Sequence, residues 1–199
     1  MPDLRRVRLT PEERRAQLIA TGVNFLAEHS LDELTMDVLA QRAGVSRPLL
    51  FHYFDTRQGM HLAVVTMARD SLLLASEPRD ELEPRARIRD TLLRITEFVS
   101  QHQGTFHSLV RGIASGDPAV RRVVDESRDL NAERLLDAFT ELGTPDTPAL
   151  RIALRSWVSF TEETLISLVI DRDEDPQVVV RFLEATLDGV VSATGELPL

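Results

Sequence analysis

An all-α fold is predicted for this chain of 199 residues, and three observations predict it. Apolar residues recur at three- and four-residue spacing along the chain, and no stretch alternates apolar with polar as a half-buried strand would. Gly and Pro fall where the periodic segments end. Start signals repeat as well, because Thr10-Pro11, Asp117-Pro118, Thr147-Pro148 and Asp175-Pro176 each set a capping oxygen directly before a Pro.

The first helix opens at Thr10, with Pro11 as its first residue and Glu13 as the reciprocal acceptor of a capping box. Leu18, Ile19, Gly22, Phe25 and Leu26 keep the helical spacing as far as His29-Ser30, and Leu31 and Leu34 pack the connection that follows. Residues 35–57 read as two short helices joined at Gly44, a helix-turn-helix. The first of these buries Val38, Leu39 and Ala43, Val45 fills the angle, and Ser46 caps the second, whose first turn tolerates Pro48. Asp55 with Gln58 repeats the capping logic and opens a fourth helix through Leu62, Val65, Met67 and Leu72 to about Ser76, which joins two domains. Further helices are expected over about 85–102, 105–114, 118–142, 147–171 and 176–193, with Gly104, Gly116 and Gly143 as stops. The last two are apolar on more than one face, through Leu154, Trp157 and Leu165 in one and Phe182, Leu183, Leu187 and Val190 in the other. A bundle core covers one such side, so the other is expected to be a subunit interface, with Leu183 and Val190 as positions that test it.

In the second helix of the helix-turn-helix, Leu50 and Phe54 lie four apart and point inward. Pro48, Phe51 and His52 are left facing outward, flanked by Arg47, Leu49 and Tyr53. Such a face suits solvent poorly and suits a nucleic-acid groove well.

Through Leu18-Ile19-Ala20, Phe25-Leu26-Ala27-Glu28, Leu34-Thr35, Leu39-Ala40, Ala43-Gly44-Val45-Ser46 and His52-Tyr53-Phe54-x-x-Arg57, the chain closely resembles the N-terminal domain of TetR-type transcriptional repressors. The resemblance runs from about Arg15 to Met60 and is far more specific than a generic helix-turn-helix. It implies a DNA-binding domain over residues 1–57 and a helical domain over 58–199 that binds a small molecule and dimerises through the last two helices. Double-stranded operator DNA and a small effector are the implied partners. Phe51 stands where the family usually has tyrosine, Ser30 where a glycine is common, and Arg57 in place of the usual lysine.

Arg47, one residue past the Ser46 cap, is expected to reach guanine O6 and N7. Leu49 either meets a thymine methyl or sits at the edge of the core, and Tyr53 is either a phosphate donor like His52 and Arg57 or half-buried. Thr35 is first a helix cap and second a phosphate contact. Arg5, Arg6 and Arg8 form a short arm that is either a minor-groove contact or a solubilising tail.

The charge distribution agrees with this division. All 23 basic residues are Arg; residues 1–60 hold 8 Arg and 8 acids, whereas residues 61–199 hold 15 Arg and 24 acids, so the net charge of −9 lies outside the first 60 residues. An acidic body is repelled by DNA, which confines binding to the N-terminal surface. No window reaches the roughly 18 apolar residues that a membrane span requires, and no apolar leader follows Met1, so a cytoplasmic protein is expected.

Met67, Phe98, His102, Phe106, Trp157 and Phe160 are candidates for an apolar effector pocket, with His102, His107, Thr161 or Glu162 giving it polarity. His102 and His107 lie five apart, which fits neither a helical ligand pair nor a zinc motif, so no metal or cofactor is expected. An enzyme is disfavoured because no spacing selects a catalytic set, no phosphate loop occurs and there is no cysteine. A helical interaction module without DNA binding explains the apolar last helices but not the outward face from Arg47 to Arg57. The sequence therefore predicts a homodimeric, DNA-binding regulator, read as a repressor released by a small hydrophobic molecule.

Overall fold

The structure, a computed structural model, describes residues 9–111 and 117–195. The arm at Arg5, Arg6 and Arg8, the stop expected at Gly116 and the end of the helix expected to reach Ala114 lie outside the described residues. Among the described residues there are nine α-helices and no strand: α1 Pro11–Phe25, α2 Met36–Ala43, α3 Arg47–Phe54, α4 Arg57–Ala75, α5 Pro84–Gln101, α6 Gln103–Arg111, α7 Pro118–Glu141, α8 Pro148–Leu165 and α9 Pro176–Thr194.

The helix starts follow from hydroxyl and carboxylate caps. Thr10 Oγ1 accepts from Glu13 N at 3.2 Å while the Glu13 carboxylate accepts from Thr10 N at 2.8 Å, as the capping box requires. Thr35, Asp117, Thr147 and Asp175 likewise accept from the first free N–H groups of α2, α7, α8 and α9. Two caps differ from the sequence reading. Ser46 occupies the cap position of α3, but its side chain makes no capping bond. Asp55 does not cap α4: the chain reverses there at φ 57°, and the hydroxyl adjacent to the helix is that of Thr56, which accepts from Gly59 N at 3.0 Å.

Gly44 ends α2 at φ 64° and makes the turn of the helix-turn-helix. Gly104 is not a stop. It is the second residue of α6, and a Cβ there would lie 2.0 Å from the carbonyl oxygen of Ala27, just past α1. The glycine is needed because two backbones meet at this point. α8 also ends differently: over Ile166–Ile170 the bonds widen to a π pattern, with Asp171 N donating to Ile166 O at 3.0 Å.

One continuous core runs from Leu18 in α1 to Leu187 in α9. In the N-terminal part Leu18, Leu34, Leu39, Leu50 and Met60 are fully enclosed. Val38 and Ala43, expected to be buried, are only partly so; Met36, Leu39 and Ala40 form the inner face of α2 instead. α4 packs on α1 and α3 at one end and on α5 and α7 at the other, and α8 and α9 pack together as the last layer. The outer side of that layer is apolar, with Phe160 41% and Phe182 46% exposed and their rings 6.1 Å apart. Leu183 faces the opposite way and is 0% exposed, so it belongs to the protomer core and does not report on an interface as the sequence suggested.

Candidate nucleic-acid interface and effector cavity

α3 presents the outward face because Leu50 and Phe54 anchor it in the core. Pro48, His52 and Phe51 are exposed, while Leu49 and Tyr53 are half-buried along the edges. The Arg47 guanidinium stands 5.5 Å over the Phe51 ring, with one nitrogen 3.3 Å from the Asp37 carboxylate of α2. Both partners are largely exposed, so the pair orients Arg47 without fixing it strongly. His52 and Tyr53 meet edge to face at 5.3 Å. Thr35 Oγ1 accepts from Val38 N at 3.2 Å, which leaves its hydroxyl hydrogen available. Arg57 donates one N–H to the Asp32 carbonyl, which ties the start of α4 to the turn after α1 and leaves further guanidinium donors for a phosphate.

A second tie lies one turn along α4. His61 is buried, and its Nε2 is 2.7 Å from the Leu34 carbonyl, to which the neutral ring donates. Burial lowers the His61 pKa below its ordinary value, and the nearby Arg57 charge adds to this; the Leu34 bond and the Asp32 and Asp117 carboxylates act the other way. Unfolding restores the ordinary, higher pKa, so the unfolded chain binds more protons between the two values and stability falls as pH drops through that window. The slope from this one group is at most about 1.4 kcal/mol per pH unit. Urea unfolding from pH 7.5 down to 5 should show this loss in the wild type and a shallower one in His61→Gln, which keeps an N–H donor; equal slopes would mean that His61 is not the group responsible.

The cavity lies between α4, α5, α7 and α8, with α6 contributing Phe106, and has a volume of about 90 Å³. Most of its wall is apolar, through Leu72, Ile88, Leu92, Phe106, Leu135 and Trp157. The Trp157 Nε1 donates at 3.1 Å to Thr186 Oγ1, linking the cavity wall to α9. Of the residues expected here, Phe106, Trp157, Thr161 and Glu162 line the cavity, whereas Met67, Phe98, His102, His107 and Phe160 do not. Met67 is 39% exposed, and the Phe98 ring packs at a tilt against that of His102, centroids 4.6 Å apart, near the end of α5. Phe160 fails on helical geometry. At about 100° per residue, Val158, Thr161, Glu162 and Leu165 fall within about 140° to one side of Trp157, whereas Phe160 falls about 60° to the other.

Several polar lining groups other than Glu162 escaped the sequence reading. Ser127, Asn131 and Arg134, continued by the apolar Ala138, form a single stripe on α7 at helical spacing, a signal that was present but has no aromatic in it. Arg87 is bidentate to Glu141 at 2.8 and 3.0 Å. Glu162 accepts from Arg128 Nε at 2.8 Å; burial, the leading influence, pushes its carboxyl pKa up despite that partner. Arg134 is half-buried and reaches the Ser76 carbonyl at 3.3 Å, Ser76 Oγ at 3.4 Å and Asn131 Oδ1 at 3.4 Å.

Comparison with known proteins identifies both halves. Residues 18–64 match the family model for bacterial regulatory proteins of the tetR family, and residues 84–187 match that for the tetracyclin repressor-like C-terminal domain. The transcriptional regulator EthR of Mycolicibacterium smegmatis is 31% identical over 205 residues, covering 98% of this chain and 93% of that protein. The transcriptional activator FasR of the same species is 24% identical over 135 residues, which span 67% of this chain and only 62% of FasR. A tetR-family regulator from Streptomyces coelicolor superposes with a TM-score of 0.75 at 29% identity, covering 93% of this chain and 84% of that one. No helix among the described residues is long and apolar enough to cross a membrane. With a helix-turn-helix, an all-α C-terminal body and relatives that match along nearly its whole length, the chain belongs to the TetR family of DNA-binding transcriptional regulators.

Proposed function

We propose that the chain works as a homodimer that holds operator DNA through α3 and lets go when a small molecule enters the α4–α8 cavity. Residues 1–57 serve as the reading unit and residues 58–199 as the effector and pairing unit. The observation that carries this reading is the face of α3: Leu50 and Phe54 fix the helix from within, and Arg47, Pro48, Phe51 and His52 project from it together. Arg47 would read guanine, Leu49 and Pro48 would meet thymine methyls, and Thr35, Ser46, His52, Tyr53 and Arg57 would hold phosphates. Occupying a promoter is enough to repress it, so repression is the simpler outcome; the activator FasR makes activation the alternative.

Selection of bound duplexes from a random pool, followed by footprinting, tests this directly. The expected product is a two-fold symmetric site whose half-sites lie about 34–36 Å apart or a multiple of that. No enrichment over the starting pool at low salt would dismiss the DNA-binding assignment for this face. On the selected site Arg47→Ala should cost about 1–3 kcal/mol per half-site and relax one base position, while Arg57→Ala should weaken all sequences alike and reduce the salt slope by roughly one per half-site. A uniform loss in Arg47→Ala, with base preference intact, would move Arg47 from the base-reading set to the phosphate set. Placing the selected site ahead of a reporter then separates repression from activation.

A further inference from the structure

We infer that the cavity takes a ligand with an apolar body and a single anionic group, and that Arg134 receives the anion. This rests on the reading of the cavity as the effector site. Three arginines lie in or beside the cavity wall, and two are neutralised: Arg87 by Glu141 and Arg128 by Glu162. Arg134 has no carboxylate within ion-pair distance among the described residues. Its three acceptors are a carbonyl, a hydroxyl and an amide oxygen, all neutral and all at 3.3–3.4 Å, the long end of the hydrogen-bond range. A half-buried guanidinium on which the Glu77 carboxylate acts only from beyond ion-pair distance is an unfavourable arrangement that an incoming carboxylate relieves, through the short bidentate geometry that Arg favours.

The rest of the wall sets the body of the ligand. It is aliphatic and aromatic from Leu72 round to Trp157 and Leu165, with no second unneutralised charge among the lining residues. Thr161 Oγ1, also on the lining, is buried with no hydrogen-bond partner among the described residues, so the wall has one further neutral group able to meet a ligand oxygen. A cationic ligand finds no free acid, because Glu162 and Glu141 are already bonded to arginines. The same contact supplies a route to the DNA-binding end. Ser76 is the residue that ends α4, and an anion that turns Arg134 toward itself takes that guanidinium away from the Ser76 carbonyl.

Matched probes test the charge preference on the 199-residue protein, with the emission of Trp157, its single Trp, as the reporter. Octanoate, octanol and octylamine form one set; benzoate, benzyl alcohol and benzylamine form a second, smaller one. In at least one set the carboxylate should bind ten-fold or more tightly than its alcohol, with the amine weakest. Arg134→Gln should bring the carboxylate down to the level of the alcohol while leaving the alcohol unchanged. An alcohol or amine that binds as tightly as its carboxylate, a carboxylate preference that survives Arg134→Gln, or no binding by either set up to the solubility limit would overturn the inference. If Arg134→Gln does not fold, the wild-type ranking decides alone. Release of the selected duplex is followed in parallel: a carboxylate that binds through Arg134 yet leaves DNA affinity unchanged refutes the effector reading and not the ligand class.

Discussion

Phe182→Asp should convert the protein to a folded monomer at micromolar concentration and lower its affinity for a two-half-site operator by at least about a hundred-fold. The ring is 46% exposed in the isolated protomer, so the substitution removes little from the protomer core and leaves helicity intact. In a paired surface the same carboxylate meets the opposing apolar face, where Phe160 and Val178 also lie open, and an unpaired charge there is costly. Loss of pairing removes the second half-site as an intramolecular partner, a factor of roughly 10²–10⁴ in avidity. Leu183→Asp is the informative contrast. Leu183, though adjacent to Phe182 in sequence, is fully enclosed, so an aspartate there should unfold the protomer instead of separating subunits. Sedimentation with circular dichroism distinguishes the two, and a Phe182→Asp protein that remains dimeric would place the interface elsewhere.

Gly104→Ala should destabilise the chain by about 1–3 kcal/mol or more, although alanine is the better helix former. The added Cβ would stand 2.0 Å from the Ala27 oxygen, 2.5 Å from the Ala27 carbonyl carbon and 2.7 Å from the Leu26 oxygen. These are backbone atoms, which no rotamer change can remove; only a shift of α6 away from the end of α1 relieves the contact. Nearby, Ser108 Oγ on α6 donates to the His29 carbonyl at 3.3 Å, so that shift would also loosen the second link between α6 and the DNA-binding domain. Gly189→Ala serves as the control. It sits in α9, where the new Cβ would meet nothing within 4 Å among the described residues beyond its own turn of helix, and in the protomer it should gain about 0.5–1 kcal/mol. Urea unfolding of both variants checks the sign of each effect, and a neutral Gly104→Ala would mean that α1 and α6 are not held against one another.

The parts of the fold legible in the sequence are those fixed by short-range chemistry. Thr10 with Glu13, Thr35, Asp117 and Asp175 announce helix starts because each cap bonds within two or three residues of itself. The inward pair Leu50 and Phe54 and the αL turn at Gly44 are equally local, and with them the outward face of α3. What escaped depends on distant partners. Gly104 looks like a stop until the Ala27 carbonyl, remote in sequence, is seen to occupy the place of its side chain. Aromatic residues drew attention to Phe160, yet a helix apolar on two sides does not say from sequence alone which side encloses a cavity and which a subunit. Arg134 was hidden for the opposite reason: a lone Arg on a long amphipathic helix is ordinarily solvent-facing, and only the packing of α4 against α7 turns it inward.

The manner in which α4 is held has a mechanical consequence. At its start the helix reaches out, Arg57 to the Asp32 carbonyl and His61 to the Leu34 carbonyl; at its end it is gripped, Arg94 on the carbonyls of Ala75 and Glu77 and Arg134 on that of Ser76. Its 19 residues form a rod about 28 Å long at 1.5 Å per residue, so each degree of tilt about the gripped end displaces the other end by about half an ångström. In a two-fold pair the displacements of the two rods oppose one another. A tilt of about 6° per subunit then changes the separation of the reading heads by about 6 Å, a sizeable fraction of the roughly 34–36 Å between successive major grooves. The lever amplifies, so in the proposed homodimer a small local rearrangement at the three clamping bonds would be enough to put both heads out of step with the DNA.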